Sequence, residues 1–258
     1  MTPAAYRVRA RNLVPDSDNM IHDDGVARSF GFTGALVPGV EVFAYATHPL
    51  VDAYGVEFLS TGLVEIRFRR PIYDGDDVTV GVRDDELAVT KADGQVAAVG
   101  RFERAPAGSV DLDGYADAPL PSDPPPPADE TSLRPGPLGT IVEVASKEGC
   151  IDYLDGIGET LPLYRDEGIV HPGLLARMVN ASLFRNVTLG PWIHTSTGCR
   201  FLAVARIGTT LRSYATVDKT YERNGNRYVD YDCLVRADDD AVAQISHTAI
   251  YQLATARR

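Results

Sequence analysis

The sequence is short of the residues that staple, chelate or span. Its three cysteines, Cys150, Cys199 and Cys233, are too few and too scattered for a disulfide framework or a metal knuckle. They read as small core residues of a chain kept in a reducing cytoplasm. No apolar run is long enough to cross a bilayer, and the opening MTPAAYRVRARN lacks a signal-peptide core, so a cytoplasmic location without a membrane partner is expected. Positive charge is scarce as well: 25 Lys and Arg against 36 Asp and Glu give a formal net charge of −11. That argues against a nucleic-acid surface. Phosphate-cradling glycine loops, Ser-nucleophile motifs and metal-ligand signatures are missing too, so neither a metal nor a cofactor is expected.

What is present is an ordinary globular mixture, 44% hydrophobic and 24% charged, long enough for one large domain or two of common size. The chain is organised around Ser17 to Gly39, SDNMIHDDGVARSFGFTGALVPG, which sets Asn19 and His22 three residues apart. Asp23 or Asp24 caps a small helix through Phe30. After Gly39 there is no charge between Glu41 and Asp52. A helix there, roughly Val40 to Tyr54, is apolar on every side and must be buried on every side. Pro49 is expected to kink it or end it early. Gly39 then sits at the helix start, where unpaired N–H groups and the helix dipole favour a developing negative charge. An Asn–His pair feeding into such a start suits acid–base chemistry on a carbonyl compound.

Arg7 to Leu13 reads as a short strand. Beyond the helix, Val64, Ile66 and Phe68 alternate with charged residues, Val78, Val80 and Val82 form a further strand, and Asp93-Gly94 joins two more as a hairpin. The block 1–105 is therefore a long buried helix followed by an antiparallel meander. Residues 106–137 differ: nine of the chain's 17 prolines lie between Ala105 and Pro137, the mark of an extended linker. The block 138–258 then repeats the first. Val37-Pro38-Gly39 returns as His171-Pro172-Gly173, an offset of 172 − 38 = 134; Arg67-Phe68 with Gly75 returns as Arg200-Phe201 with Gly208, an offset of 133. The Asn224-Gly225 turn marks a longer hairpin in the second copy.

The residues Asn19, Ile21, His22, Gly31-Phe32, Gly34 and Leu36-Val37-Pro38-Gly39, with Arg67-Phe68-Arg69-Arg70-Pro71 and Gly75, resemble the MaoC-like (R)-specific enoyl-CoA hydratases in their double hot-dog form. The resemblance covers both blocks and leaves out the linker. It implies an α+β fold of two antiparallel sheets, each wrapping a long central helix. It also implies a hydratase or dehydratase acting on an acyl thioester carried by CoA or a carrier protein, without a cofactor, in a homo-oligomer or beside a hetero-partner. On this likeness His22 is the general base or acid, Asn19 orients the water or thioester, and Val37 and Gly39 lie against the substrate, the Gly39 amide facing the thioester oxygen. The family's catalytic Asp position holds Ser17, which can hold a water but cannot take its proton at neutral pH. Met20 replaces the usual Pro. In the second block Glu159 stands at the Asp position and Tyr164 at the His position, which makes that copy degenerate.

Two other readings stay open. Glu41, in the first turn of the helix, suits the dipole as a stabilising residue, and hot-dog thioesterases place a carboxylate on this helix. A chain without the Asp also fits a non-catalytic thioester-binding subunit. Arg67, Arg69 and Arg70 read as an exposed strand face or as ligands for a CoA phosphate. His48 reads as a core or interface residue and His171 as a helix cap, while His194 and His247 fall on strands with no assigned role.

Overall fold

The computed structural model describes residues 3–14, 19–106 and 109–254. Asp16, Ser17 and Asp18 lie outside the described residues, and with them the position that the resemblance gives to a carboxylate.

The first half runs β1 (Tyr6–Arg9), a 3-10 turn (Met20–His22), α1 (Asp24–Ser29), α2 (Gly39–Thr61), then β2 (Leu63–Phe68), β3 (Asp77–Arg83), β4 (Glu86–Lys91) and β5 (Val96–Glu103). The second half runs β6 (Gly136–Pro137), β7 (Ile141–Val144), α3 (Lys147–Ile157), α4 (Pro162–Asp166), α5 (Pro172–Phe184), then β8 (Ile193–Phe201), β9 (Thr210–Arg223), β10 (Asn226–Ala237) and β11 (Asp240–Gln252). All strands join one sheet in the order β1-β3-β4-β5-β2-β8-β11-β10-β9-β6, with β7 also on β9. The extra length of the second copy is in β9 and β10, which carry the Asn224-Gly225 turn.

The repeat is written into the backbone. The Val37 N–H bonds the Ile72 carbonyl at 2.8 Å and the Val170 N–H bonds the Ala205 carbonyl at 2.9 Å; 170 − 37 and 205 − 72 are both 133. The bridge Leu36–Tyr73 recurs as Ile169–Arg206 at the same offset. At the seam β2 pairs antiparallel with β8, and Glu65 lies opposite Gly198. Since 198 − 65 is again 133, a residue there faces its own counterpart, and the pseudo-two-fold axis passes through that pair. The pairing joins the inner edges of the two half-sheets and removes both as exposed templates.

α2 is buried on all sides through residues 40–51, as an uncharged run requires. Pro49 does not end it: helical dihedrals run on to Tyr54, where the sequence places the end, and a further helical piece reaches Thr61. The break in helical dihedrals comes instead at Gly55 (φ 66°, ψ −156°), a region open essentially to glycine alone. β1 is shorter than the sequence implies, because beyond Arg9 the chain turns away to bond Asp76 and Asp74.

The proline-rich segment is strapped onto the second half. The Tyr115 hydroxyl donates to Asp232 and accepts from Gln244 at 2.6 Å. Thr188, just past α5, exchanges backbone bonds with Pro126 and Ala128 at 2.7 and 2.9 Å.

Candidate functional site

The 3-10 turn and the cap of α1 set His22. Asp23 accepts from the Val26 amide and starts α1, while Asn19 accepts from the Ile21 amide and shapes the turn before it. The Nδ1 of His22 lies 2.7 Å from the Leu36 carbonyl. A carbonyl only accepts, so Nδ1 carries the proton and Nε2 presents its lone pair. Asn19 Nδ2 donates to that Nε2 at 3.3 Å and to the Trp192 carbonyl at 3.1 Å, while the Trp192 amide returns a bond to Asn19 Oδ1 at 3.2 Å. Asn19 thus ties His22 to the second half. Burial pushes the His22 imidazole below its ordinary pKa, against the raising effect of the Leu36 bond, so it is neutral at pH 7.

His22, Asn19, Val37 and Gly39 line one cavity of about 220 Å3, with Arg69 and Arg70, both exposed, among the residues around it. Arg67 lines a different surface groove. Gly39 is the first residue of α2, so its amide is among the orphan donors of a helix start. Its need for glycine is a matter of space. A Cβ there would meet the Phe68 ring at 2.8 Å and His194 Nδ1 at 2.9 Å. Gly39→Ala is therefore expected to displace Phe68 and His194, at about 1–3 kcal/mol, and to lower the melting temperature by several degrees in a thermal unfolding scan. An unchanged melting temperature would mean that the ring moves aside freely.

Glu41 does not line this cavity. It faces a second lobe of about 650 Å3 between α2 and α5, walled by Leu174, Met178, Phe184 and Leu189. There it is fully buried and ion-paired with Arg177, whose Nε lies 2.6 Å from Oε1 and whose terminal nitrogen also contacts that oxygen, while Oε2 has no partner among the described residues. Burial raises the Glu41 pKa and the Arg177 charge opposes that shift.

The counterpart in the second half is closed. Tyr164 is fully buried, its ring packed on His171 at 4.5 Å between centroids. A Cβ on Gly173, the glycine matching Gly39, would overlap the Tyr153 hydroxyl, so that side chain fills the space over the second helix start. Glu159 does not face a cavity. Its carboxylate accepts from His48 Nδ1 at 2.8 Å, from the Thr160 and Leu161 amides at 2.7 Å each, and from His171 Nε2 at 3.2 Å. Burial raises its pKa, but the bonds from His171 and His48 outweigh that and hold the carboxyl well below its usual range. His171 is the cap of α5, its Nδ1 accepting from the Gly173 amide at 3.0 Å. His48 is thus one of the groups locking α2 to the second half, the interface side of its reading.

His194 and His247 are the residues that the sequence left without a role. Their rings lie against each other, tilted by 37° with centroids 4.1 Å apart, and His194 lines the cavity with His22. Their only signal is a pair of histidines on largely apolar inward-facing strand positions.

Burial depresses the pKa of four histidines, His22, His171, His194 and His247, with His194 brought from 6.5 to about 4. Their folded values lie below the unfolded one, so the unfolded chain binds more protons in acid. The associated stability is complete above about pH 6.5 and is lost as pH falls toward the folded values. For His194 alone this amounts to roughly 3 kcal/mol by pH 4. Denaturant midpoints are expected to be flat above pH 7 and to fall steeply between pH 6.5 and 4; a midpoint constant to pH 4 would contradict these buried neutral imidazoles.

No family model matches the sequence, and no curated protein matches it. Solved structures do. The chain superposes on a "MaoC-like dehydratase" with a TM-score of 0.63 at 13% identity, over 98% of each chain. It superposes on RV0216 of Mycobacterium tuberculosis, a conserved hypothetical protein described as having a double hotdog fold, with a TM-score of 0.61 at 15% identity, over 97% of this chain and 96% of that one. A protein from Lactobacillus plantarum, provisionally described as an oleoyl thioesterase, gives 0.52 at 14% identity over 97% and 96%. The architecture is a double hot-dog fold of the α+β class, shared with MaoC-like dehydratases and with thioesterases alike. No helix among the described residues is long and apolar enough to cross a membrane.

Proposed function

We propose that this chain hydrates a 2-enoyl thioester, or dehydrates the matching 3-hydroxyacyl thioester, carried by CoA or a carrier protein. The observation that carries the reading is the juxtaposition, in one cavity, of a neutral histidine with a defined tautomer and the amide end of a buried helix. Water lies at the Nε2 of His22, replacing the long bond from Asn19. His22 takes one proton as the water oxygen bonds to the β carbon; the electron pair of the C=C bond moves through the α carbon to the thioester oxygen, held by the Gly39 amide. The imidazolium then returns the proton to the α carbon and restores the thioester carbonyl. One residue thus serves as base and then as acid, no carboxylate is consumed, and no resident cofactor is used. Arg69 and Arg70 suit the phosphates of a carrier, and the larger lobe suits the acyl chain.

Thioester hydrolysis through Glu41 is the second reading, favoured by its place in the larger lobe. The Arg177 pair weighs against it, because a carboxylate already bonded to a guanidinium is a poor base or nucleophile. Replacing Glu41 by Gln separates the two: hydration survives the change and hydrolysis does not. A chain that binds acyl-CoA and turns over neither way would be a binding subunit.

A further inference from the structure

The two cavities share five lining residues, Asn19, His22, Pro38, Asn180 and Trp192. A thioester with its acyl chain in one and its carrier in the other would have its carbonyl beside these residues. Asn19, the residue that the sequence offers as a ligand, is held by both backbone groups of Trp192, and its remaining N–H points at His22 Nε2, where the water enters. Asn180 is not. Its Oδ1 lies 3.1 Å from the Nδ1 of His247, a ring buried on β11 that also meets the Tyr231 hydroxyl at 3.3 Å. The amide oxygen accepts, so His247 donates from Nδ1, which fixes the Asn180 side chain and leaves its NH2 group without a partner among the described residues.

The other buried polar residues on and just after α5 behave differently. Ser182 bonds Ser213 at 2.9 Å, and Asn186 satisfies both ends of its amide on Gly139 and Ser182. Asn180 keeps a free donor among the residues that line both cavities.

We propose that Asn180 is a second donor to the thioester carbonyl, acting beside the Gly39 amide from the opposite half of the molecule, and that His247 is the positioning residue that aims it. The inference rests on the acyl-thioester reading above. It makes the second half a contributor to the site, and it explains why a histidine is kept in the interior of β11 beside His194.

The test compares two ligands on the full chain by calorimetry: a saturated acyl-CoA, and the matching S-alkyl-CoA thioether, which lacks only the carbonyl. Asn180→Asp keeps the size and the acceptor for His247 but removes the donor; Asn180→Leu removes both. Each is expected to weaken the thioester about tenfold and to leave the thioether within about twofold. With a 2-enoyl-CoA, kcat should fall about 100- to 1,000-fold, as for loss of one oxyanion donor, with KM changed much less. His247→Phe should give the same selectivity in smaller measure, and no added effect in the Asn180→Asp background. A misfolded variant loses both ligands and is recognised by its melting curve; the isosteric Asp variant guards against that outcome. Equal weakening of both ligands in folded Asn180→Asp would make Asn180 a packing residue and overturn the proposal. If the native chain binds neither ligand, the thioester reading itself fails, and the role of Asn180 with it.

Discussion

Replacing His22 by Ala is expected to cut hydration turnover by about 100- to 10,000-fold, the range for loss of a positioned acid or base. No Asp or Glu lines the cavity among the described residues, and the other imidazole there, His194, has its pKa lowered by burial to about 4, which makes it the weaker base. The size of the loss is therefore a measure of how much of the reaction passes through one imidazole. The pH profile adds a sign. Burial lowers the His22 pKa, so the base form persists below pH 6.5, and kcat/KM should stay level through neutrality and fall only in more acidic solution. A loss under about tenfold for His22→Ala, in a variant that melts like the native chain, would move the chemistry to another group.

Replacing Arg177 by Met should be the most destabilising single change in the second lobe, at about 3–5 kcal/mol. Glu41 is fully buried and its Oε1 takes both bonds from Arg177. Without the guanidinium, a carboxylate is left in a low-dielectric site between α2 and α5, or must be protonated to stay there. The melting temperature should fall by roughly 6–20 °C on the scale of about 2–4 °C per kcal/mol for a chain of this size. The companion variant, Glu41→Gln with Arg177→Met, removes the unpaired charge and should recover much of the loss. If Arg177→Met melts like the native chain, the pair is not the latch between the helices that its geometry implies. The same series bears on function, since only a Glu41-dependent reaction disappears in Glu41→Gln.

Where local chemistry decides structure, the sequence was informative. The uncharged run after Gly39 announced a fully buried helix, and the offset of 133 between Arg67 and Arg200 recurs in backbone bonds and at the seam pair Glu65–Gly198. Pro49 was misleading, since the break falls at Gly55 instead. The first-half arm of the site was legible because Asn19, His22 and Gly39 lie within one stretch of chain. The second-half arm was not. Asn180, His194 and His247 sit on three elements, and only the fold brings them together. The roles of Glu159 and Tyr153 were hidden for a like reason: a Glu that matches the frame of a catalytic carboxylate is spent on two histidines from other elements, and the plug over Gly173 comes from α3.

The measurement that tests the account most directly follows one reaction with two readouts. A 2-enoyl-CoA is mixed with the chain while the conjugated-enoyl absorbance and the free thiol are recorded together. The account predicts that the absorbance disappears while thiol stays flat, and that His22→Ala abolishes the change. Thiol release with the enoyl absorbance consumed only in step with it would contradict hydration and put hydrolysis in its place.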